Sequence, residues 1–405
     1  MKVKSPVQLF AIALLCLSGC LAAMPKPQDS GTRYVADAVE PYIQSGECPG
    51  AISILYNNGK QETALLGYAD ADKKIPIAMD QLFMQCSQTK GFCGVTIAIL
   101  VEEGKLSLDD PVEKYLPEFK TLKIAVKDKD GKTTLVPAKN TLTVRMVMNH
   151  TGGFPFEIPT KRKHGWPSLP PRAAAREAAA NPILFEPGTR VSYSNTGIDI
   201  GAAVVEVVSG KSWDVFLKER VFDPLEMKSS TFNPTDEQLK NIISMYNVKP
   251  GRKAKFQAFS SAMPLPHNGP KVYPSAGAGL WTTAADQYKF YKMLMNLGKG
   301  DNGVRILKEE TVKNVLGTSS RPAKLGKYSL GLAVNGKGEM GHGGAWGTSA
   351  RVDWQKQQLA IWVVQQVGTN RAKCPWFIDW GKAAAKFFSA KSAKSSADAY
   401  TGRMK

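Results

Sequence analysis

Residues 87–104 read SQTKGFCGVTIAILVEEG, and the way this stretch folds governs how the rest of the chain is read. Phe92, Val95 and Ile99 recur near helical spacing, and Gly104 stands where a helix of this length takes a glycine at its end. The expectation is a long apolar helix with Ser87 in its first turn. Positions i and i+3 share a helix face, so the Lys90 ammonium reaches the Ser87 hydroxyl. Serine alone is a weak nucleophile near neutral pH and needs a neighbouring base. A lysine serves when desolvation or a nearby cation lowers its pKa, because burial disfavours its charged form. The helix N-terminus also favours negative charge developing at the serine. S-x-x-K is a common tetrad by composition alone. Its placement, and the lack of a second one in the chain, single out Ser87 and Lys90.

Working outward, Ala51-Ile52-Ser53-Ile54-Leu55-Tyr56 reads as a strand closed by the hairpin signal Asn57-Asn58-Gly59, with 61–67 as the return strand. Residues 128–133 look like a charged hairpin tip. Residues 142–148 read as a short helix stopped by His150-Thr151-Gly152-Gly153. The Pro-rich, basic stretch 155–171, which carries Trp166, reads as a long surface loop of the kind that often bears function. Helices are expected over 197–208, 213–221 and 284–297, the last capped by Thr282 or Thr283. Strand-like runs follow at 329–334, 348–354 and 359–366, then a helix over 374–388. No internal repeat is evident. Strands at both ends with helices between imply an α/β (α+β) fold: an antiparallel sheet formed from both chain ends, flanked by helices, with a mostly helical inserted domain. The sheet part is expected at about 34–85 and 275–388, and the helical part at about 105–270.

Two further constellations carry chemistry. Tyr193-Ser194-Asn195 supplies a phenol whose pKa a neighbouring ammonium would depress, making it a proton shuttle, and an amide able to orient the lysine and a substrate carbonyl. It follows Phe185-Glu186-Pro187-Gly188 and precedes a Gly-led helix, whereas the other Y-x-N, at Tyr56, sits in a hairpin turn. His342-Gly343-Gly344 is one of three H-x-G matches, the others starting at His150 and His267, but only His342 lies between strand-like segments. Its small neighbours would let substrate lie against a strand edge, with the amides of Ser87 and Ala345 as an oxyanion hole.

In this order and spacing, the three elements resemble the S-x-x-K, Y-x-N and K/H-x-G motifs of class C β-lactamases, related D,D-peptidases and family VIII esterases, within the penicillin-binding and serine β-lactamase-like superfamily. Flanking text agrees at Glu102-Glu103-Gly104-Lys105-Leu106-Ser107-Leu108-Asp109-Asp110-Pro111, at Asn149-His150-Thr151-Gly152-Gly153 and at Ala276-Gly277-Ala278-Gly279-Leu280, and the likeness spans about 34–385. The resemblance implies an α/β domain and a helical domain with the site between them. It implies Ser87 as acylated nucleophile, Lys90 as its activator, Tyr193 as catalytic tyrosine and Asn195 as substrate-orienting amide, with His342, Gly343, Gly344 and Ala345 on the substrate side. The implied substrate is an ester, a D-amino-acid (peptidoglycan-like) peptide or a β-lactam. β-Lactamases usually carry Lys in the third motif; His342 is expected to be only partly charged, which argues against efficient β-lactam hydrolysis. No added glutamate base of the class A kind is discernible. Cys86 reads as a small core residue. A rival is a non-catalytic peptidoglycan- or penicillin-binding protein, against which the intact Ser87, Lys90 and Tyr193 argue.

The remaining features bound where such a protein works. Lys2 and Lys4 precede an apolar run at 7–17 that is short for a membrane span, so residues 1–23 read as an export signal. Leu17-Ser18-Gly19-Cys20 resembles a bacterial lipobox, with Cys20 as the lipidated residue and the lipid as the expected membrane anchor. The alternative is plain cleavage near Ala22 or Ala23. No Asp follows Cys20, which favours an outer membrane if the host has two. Residues 24–33 read as a tether, 34–388 as the hydrolase domain and 389–405 as a disordered basic tail. A net charge of +18 suits an anionic cell envelope as well as nucleic acid. The basic residues are scattered rather than gathered into a stripe, so no nucleic-acid partner is expected, and the periplasm or cell envelope is the expected location. Six cysteines are too few for a disulfide scaffold, and four histidines without HExxH-like spacing support no metal and no other cofactor.

Overall fold

The computed structural model describes residues 33–158, 169–257 and 274–390. The signal segment with Cys20, nearly all of the tether, most of the 155–171 loop with Trp166, and the tail from 391 lie outside the described residues.

The architecture grows from an alternating strand. In Gly50–Asn57, Ile52 and Ile54 face one side of the sheet, and Ala51 and Leu55 face the other, the period of two that a sheet buried on both faces requires. Asn58 and Gly59, at φ 46° and 88°, turn the chain into Lys60–Asp70. The other neighbour of Gly50–Asn57 is Gln358–Val363, with Ile54 opposite Ile361. The N- and C-terminal parts of the chain thus share one seven-stranded antiparallel sheet. Its order is Ala333–Val334, Glu339–Gly343, Ser349–Asp353, Gln358–Val363, Gly50–Asn57, Lys60–Asp70, Ile75–Pro76. The expected sheet from both chain ends is what folds.

Helices cover both faces. On one side lie Tyr34–Gln44 and Pro375–Ser389, joined by a Tyr42 hydroxyl bond to Asp379 of 2.6 Å and by a Tyr34–Phe387 edge contact. On the other lie Thr89–Glu102 and Ala284–Met295, with Phe92 stacked on Phe290 at 3.6 Å. The helix Thr89–Glu102 is buried from Thr89 to Leu100. Its small residues matter as much as its large ones. A Cβ on Gly94 would stand 1.9 Å from the Leu330 carbonyl oxygen, and one on Gly331 2.1 Å from the Lys90 carbonyl oxygen. That close approach explains why the strand expected over 329–334 shrinks to Ala333–Val334. Residues 330–331 lie on the helix instead of pairing in the sheet.

Between the sheet segments come Val144–Met148, Pro171–Ala180, Asn195–Ser209 and Trp213–Leu217, and a hairpin of Lys123–Lys127 with Thr133–Pro137. A second hairpin, Tyr246–Lys249 with Arg252–Phe256, pairs in parallel with Gln366–Val367. The helix Tyr34–Gln44 was missed from the sequence because Arg33 offers no side-chain cap and Pro41 sits inside it. No helix among the described residues is long and apolar enough to cross a membrane. The cysteines at 48, 86, 93 and 374 are buried and unbridged.

Candidate active site

Ser87 sits in a tight 3-10 turn, Cys86–Gln88, wedged between the strand Phe83–Met84 and the helix Thr89–Glu102. Cys86 takes a left-handed φ of 52°, a strained conformation for a residue with a Cβ. The Thr89 hydroxyl donates to the Cys86 carbonyl at 2.6 Å and accepts from Leu280 N–H at 3.2 Å, so the turn is pinned from both sides. Cys86 itself is buried, and its thiol is pushed up to about 12 by that burial, as a core residue rather than a reactive thiol would be.

Lys90 lies one turn along, 0 % exposed, with Nζ 3.2 Å from Ser87 Oγ, 2.5 Å from Asn195 Oδ1 and 2.6 Å from the Gly277 carbonyl oxygen. Burial brings its pKa down to about 7, against the opposing pull of Asp199, Glu157 and Cys86. Amide and carbonyl oxygens only accept hydrogen bonds. A neutral amine has two hydrogens, and these two oxygens take both. The nitrogen lone pair is then left for the Ser87 hydroxyl, the arrangement a general base requires.

Tyr193 and Asn195 arrive together, because Ser194 caps the helix Asn195–Ser209 by accepting Gly197 N–H at 3.0 Å. Lys90 Nζ is 4.7 Å from the Tyr193 ring centroid, and the phenol lies near enough to Ser87 for that hydroxyl to influence its ionisation. The ring is 39 % exposed, yet its hydroxyl sits among Ser87 and His342, with His342 Nε2 at 3.5 Å. The expected depression of this phenol is corrected by the structure. Desolvation raises it to about 12, and the Ser87 hydroxyl only tempers the rise. Lys90, itself near 7, is about half charged at pH 7 and neutral wherever the phenol titrates, so no ammonium charge remains there to pull the phenol down.

His342 lies in the strand Glu339–Gly343. Its Nδ1 is 2.7 Å from the Gly343 carbonyl oxygen, which only accepts, so the proton sits on Nδ1 and Nε2 accepts from the Tyr328 hydroxyl at 3.0 Å. Burial and Lys90 lower its pKa to about 3. The expectation of a partly charged imidazole is therefore corrected to a neutral one. A cation does stand nearby. Arg371 Nη1 donates to the Gly344 carbonyl at 3.0 Å, and a Cβ on Gly343 would fall 1.9 Å from Arg371 Nη2. Gly344 is required too, since a Cβ there would meet the Gln85 carbonyl oxygen at 2.4 Å. The third motif is thereby locked to the serine turn, with Gln88 Nε2 donating to the His342 carbonyl at 3.2 Å. Ala345 follows the strand, and its backbone, with that of Trp346, lies near enough to the Cys86 thiol to temper the rise that burial causes.

The structure gathers Ser87, Lys90, Tyr193, Asn195 and His342–Ala345 in one place. It adds residues that sequence reasoning passed over. Asp199, four positions after Asn195 and so on the same helix face, accepts from Ser275 Oγ at 3.1 Å and Gly277 N–H at 3.1 Å, holding the loop whose carbonyl binds Lys90; burial raises its pKa to about 7. His150 stands at φ 67°, accepts Ser194 N–H at 3.3 Å on Nδ1, and packs 4.5 Å from the Tyr193 ring. Glu157 accepts from Asn195 Nδ2 at 2.6 Å. Asp199 carried a signal in its i+4 spacing from Asn195, His150 in the Asn149-His150-Thr151-Gly152-Gly153 stretch, and Glu157 only in its place within the 155–171 loop. Among the described residues, no group of three or more His, Cys, Asp or Glu is placed to hold a metal ion.

Comparison with known proteins gives a consistent picture. The family profile described as Beta-lactamase matches residues 35–382. Protein Rv1367c of Mycobacterium tuberculosis is 29 % identical over 286 residues, covering 68 % of this chain and 69 % of that protein. Among solved structures, EstCE1, described as a hydrolase with promiscuous acyltransferase activity, superposes with a TM-score of 0.69 at 22 % identity, covering 87 % of this chain and 97 % of its own. An octameric penicillin-binding protein homologue from Pyrococcus abyssi gives a TM-score of 0.64 at 21 % identity, over 89 % of this chain and 78 % of its own. At such identities the two structures speak to the fold.

Proposed function

This chain belongs to the beta-lactamase family, and from that premise we propose that it is an exported serine hydrolase that forms an acyl-enzyme on Ser87 with an ester or a D-amino-acid peptide. The observation that carries the reading is the fully buried Lys90, held 3.2 Å from Ser87 Oγ with its other hydrogen bonds spent on acceptors. Neutral Lys90 takes the Ser87 proton as Oγ attacks the substrate carbonyl carbon, and the carbonyl π pair moves onto oxygen. The tetrahedral adduct collapses, expelling the leaving group, which takes a proton from Tyr193, itself re-protonated from Lys90. Water then attacks the acyl carbon by the same route reversed and frees Ser87. A phenol near 12 suits the donor half of this cycle, because it holds its proton until a more basic leaving atom develops.

Neutral His342 favours the ester reading, since it offers no fixed cation to a substrate carboxylate. Arg371 is the one observation favouring carboxylate-bearing D,D-peptides or β-lactams, because its guanidinium lies against Gly343 and Gly344. Anchoring at the cell envelope through Cys20 is part of the proposal.

The test is a panel of p-nitrophenyl esters, nitrocefin and D-Ala-D-Ala peptides, alongside fluorophosphonate labelling, run on wild type and Ser87→Ala. Labelling and turnover that vanish together in Ser87→Ala are expected, with esters turned over fastest. A wild type that neither labels nor turns over any of the panel would leave a binding protein as the better reading.

A further inference from the structure

Residues 154–158 press on the start of the helix Asn195–Ser209. Phe156 O accepts Asn195 N–H at 2.9 Å, Pro155 O accepts the Ser194 hydroxyl at 2.6 Å, and Glu157 Oε1 accepts Asn195 Nδ2 at 2.6 Å. An amide side chain has two ends of nearly equal shape and opposite hydrogen-bonding sense. Which end faces Lys90 decides what the lysine can do. With Oδ1 toward it, the amine donates and keeps its lone pair for Ser87. With Nδ2 toward it, the amide would donate into that lone pair and occupy the base.

We propose that Glu157 is a positioning residue for the acyl-transfer reaction: a carboxylate that only accepts hydrogen bonds, it commits Asn195 Nδ2 to itself and so forces Oδ1 onto Lys90, leaving the amine lone pair to Ser87. The inference rests on the reading of Lys90 as general base and adds the residue that enforces its geometry. Glu157 also places a negative charge two hydrogen bonds from the lysine. That charge favours the ammonium and so raises the pH at which the base becomes available. Other groups facing Lys90 are Asp199 from the same helix as Asn195, Cys86 from the serine turn, Tyr193 and His150 from the segments leading into that helix, and His342 from the sheet. None of these hydrogen-bonds Asn195 Nδ2, so the orienting role falls to Glu157.

Two variants separate its contributions. Glu157→Ala removes the acceptor and frees the amide to turn; kcat for a neutral ester is expected to fall by about 10- to 100-fold with KM little changed. Glu157→Gln keeps an acceptor oxygen without the charge but can itself turn and donate, so it should recover only part of that loss, while the acidic limb of kcat/KM moves down by roughly half to one pH unit. The ε-carbon shift of 13C-labelled Lys90, followed by NMR, gives the same titration without any turnover. It should show the same downward displacement in Glu157→Gln. A Lys90 midpoint that stays where the wild type has it in Glu157→Gln, or a folded Glu157→Ala that keeps wild-type kcat, overturns the proposal. Absence of Ser87-dependent turnover in the wild type would instead strike at the hydrolase reading, and the Lys90 titration would still decide the role of Glu157.

Discussion

Lys90 is a base only while it is unprotonated, and its burial is what makes that state accessible near neutrality. The sign follows directly. Below about pH 7 the amine carries a proton and cannot take one from Ser87, so kcat/KM for a neutral ester should rise as pH increases through about 7 and then level off. Tyr193, raised to about 12, should impose no falling limb until well above pH 10. A pH–rate profile checks both limbs. Replacing Lys90 with arginine keeps a cation but removes the proton acceptor, since a guanidinium does not deprotonate in proteins. A loss of about a thousandfold or more in kcat/KM is expected, and a Lys90→Arg enzyme within tenfold of wild type would contradict the base assignment.

At the scale of the element, the helix Thr89–Glu102 is shaped by what it lacks as well as by what it buries. In an exposed helix, Gly→Ala gains about 1 kcal/mol. At Gly94 the new methyl would lie 1.9 Å from backbone oxygen of Leu330, and neither partner is the free end of a flexible side chain. Gly94→Ala should therefore destabilise by about 1–3 kcal/mol, seen as a lower denaturant midpoint with unchanged slope. Stabilisation would mean that residues 330–331 do not lie on this helix as described. The same contact holds Gly331 against the Lys90 carbonyl, so the variant is expected to lose activity as well.

On the scale of the molecule, the sheet separates two cores. Ile52, Ile54, Leu359 and Ile361 face the core that carries the site, and Ala51, Leu55, Trp362 and Trp376 belong to the core beneath the terminal helices. Trp376 is 0 % exposed, so Trp376→Ala should cost about 3–5 kcal/mol, visible as a lower melting temperature. Trp376 belongs to the core opposite the site, but its indole N–H bonds Gln366 Oε1 at 3.3 Å and the Gln366 N–H bonds the Trp346 carbonyl at 3.0 Å, next to Ala345. A several-fold fall in kcat/KM of the protein that remains folded is therefore expected, and a value unchanged from wild type would show that this path carries no coupling.

What the amino-acid sequence settled by itself was local: the serine helix and its lysine one turn along, the alternating strands at both ends, the hairpin at Asn58-Gly59, and three motifs in an order that resembles one superfamily. Each of these is written in neighbouring residues, where periodicity and turn chemistry act. The shortened strand near 330, the neutral imidazole of His342, the high phenol of Tyr193 and the roles of Asp199, Glu157 and Arg371 were decided only by tertiary structure. Burial and hydrogen-bond partners set these, and both come from segments distant in the chain. Lys90 takes its two acceptors from positions 105 and 187 residues away, distances at which no sequence pattern reports which oxygen will arrive or what water it will exclude.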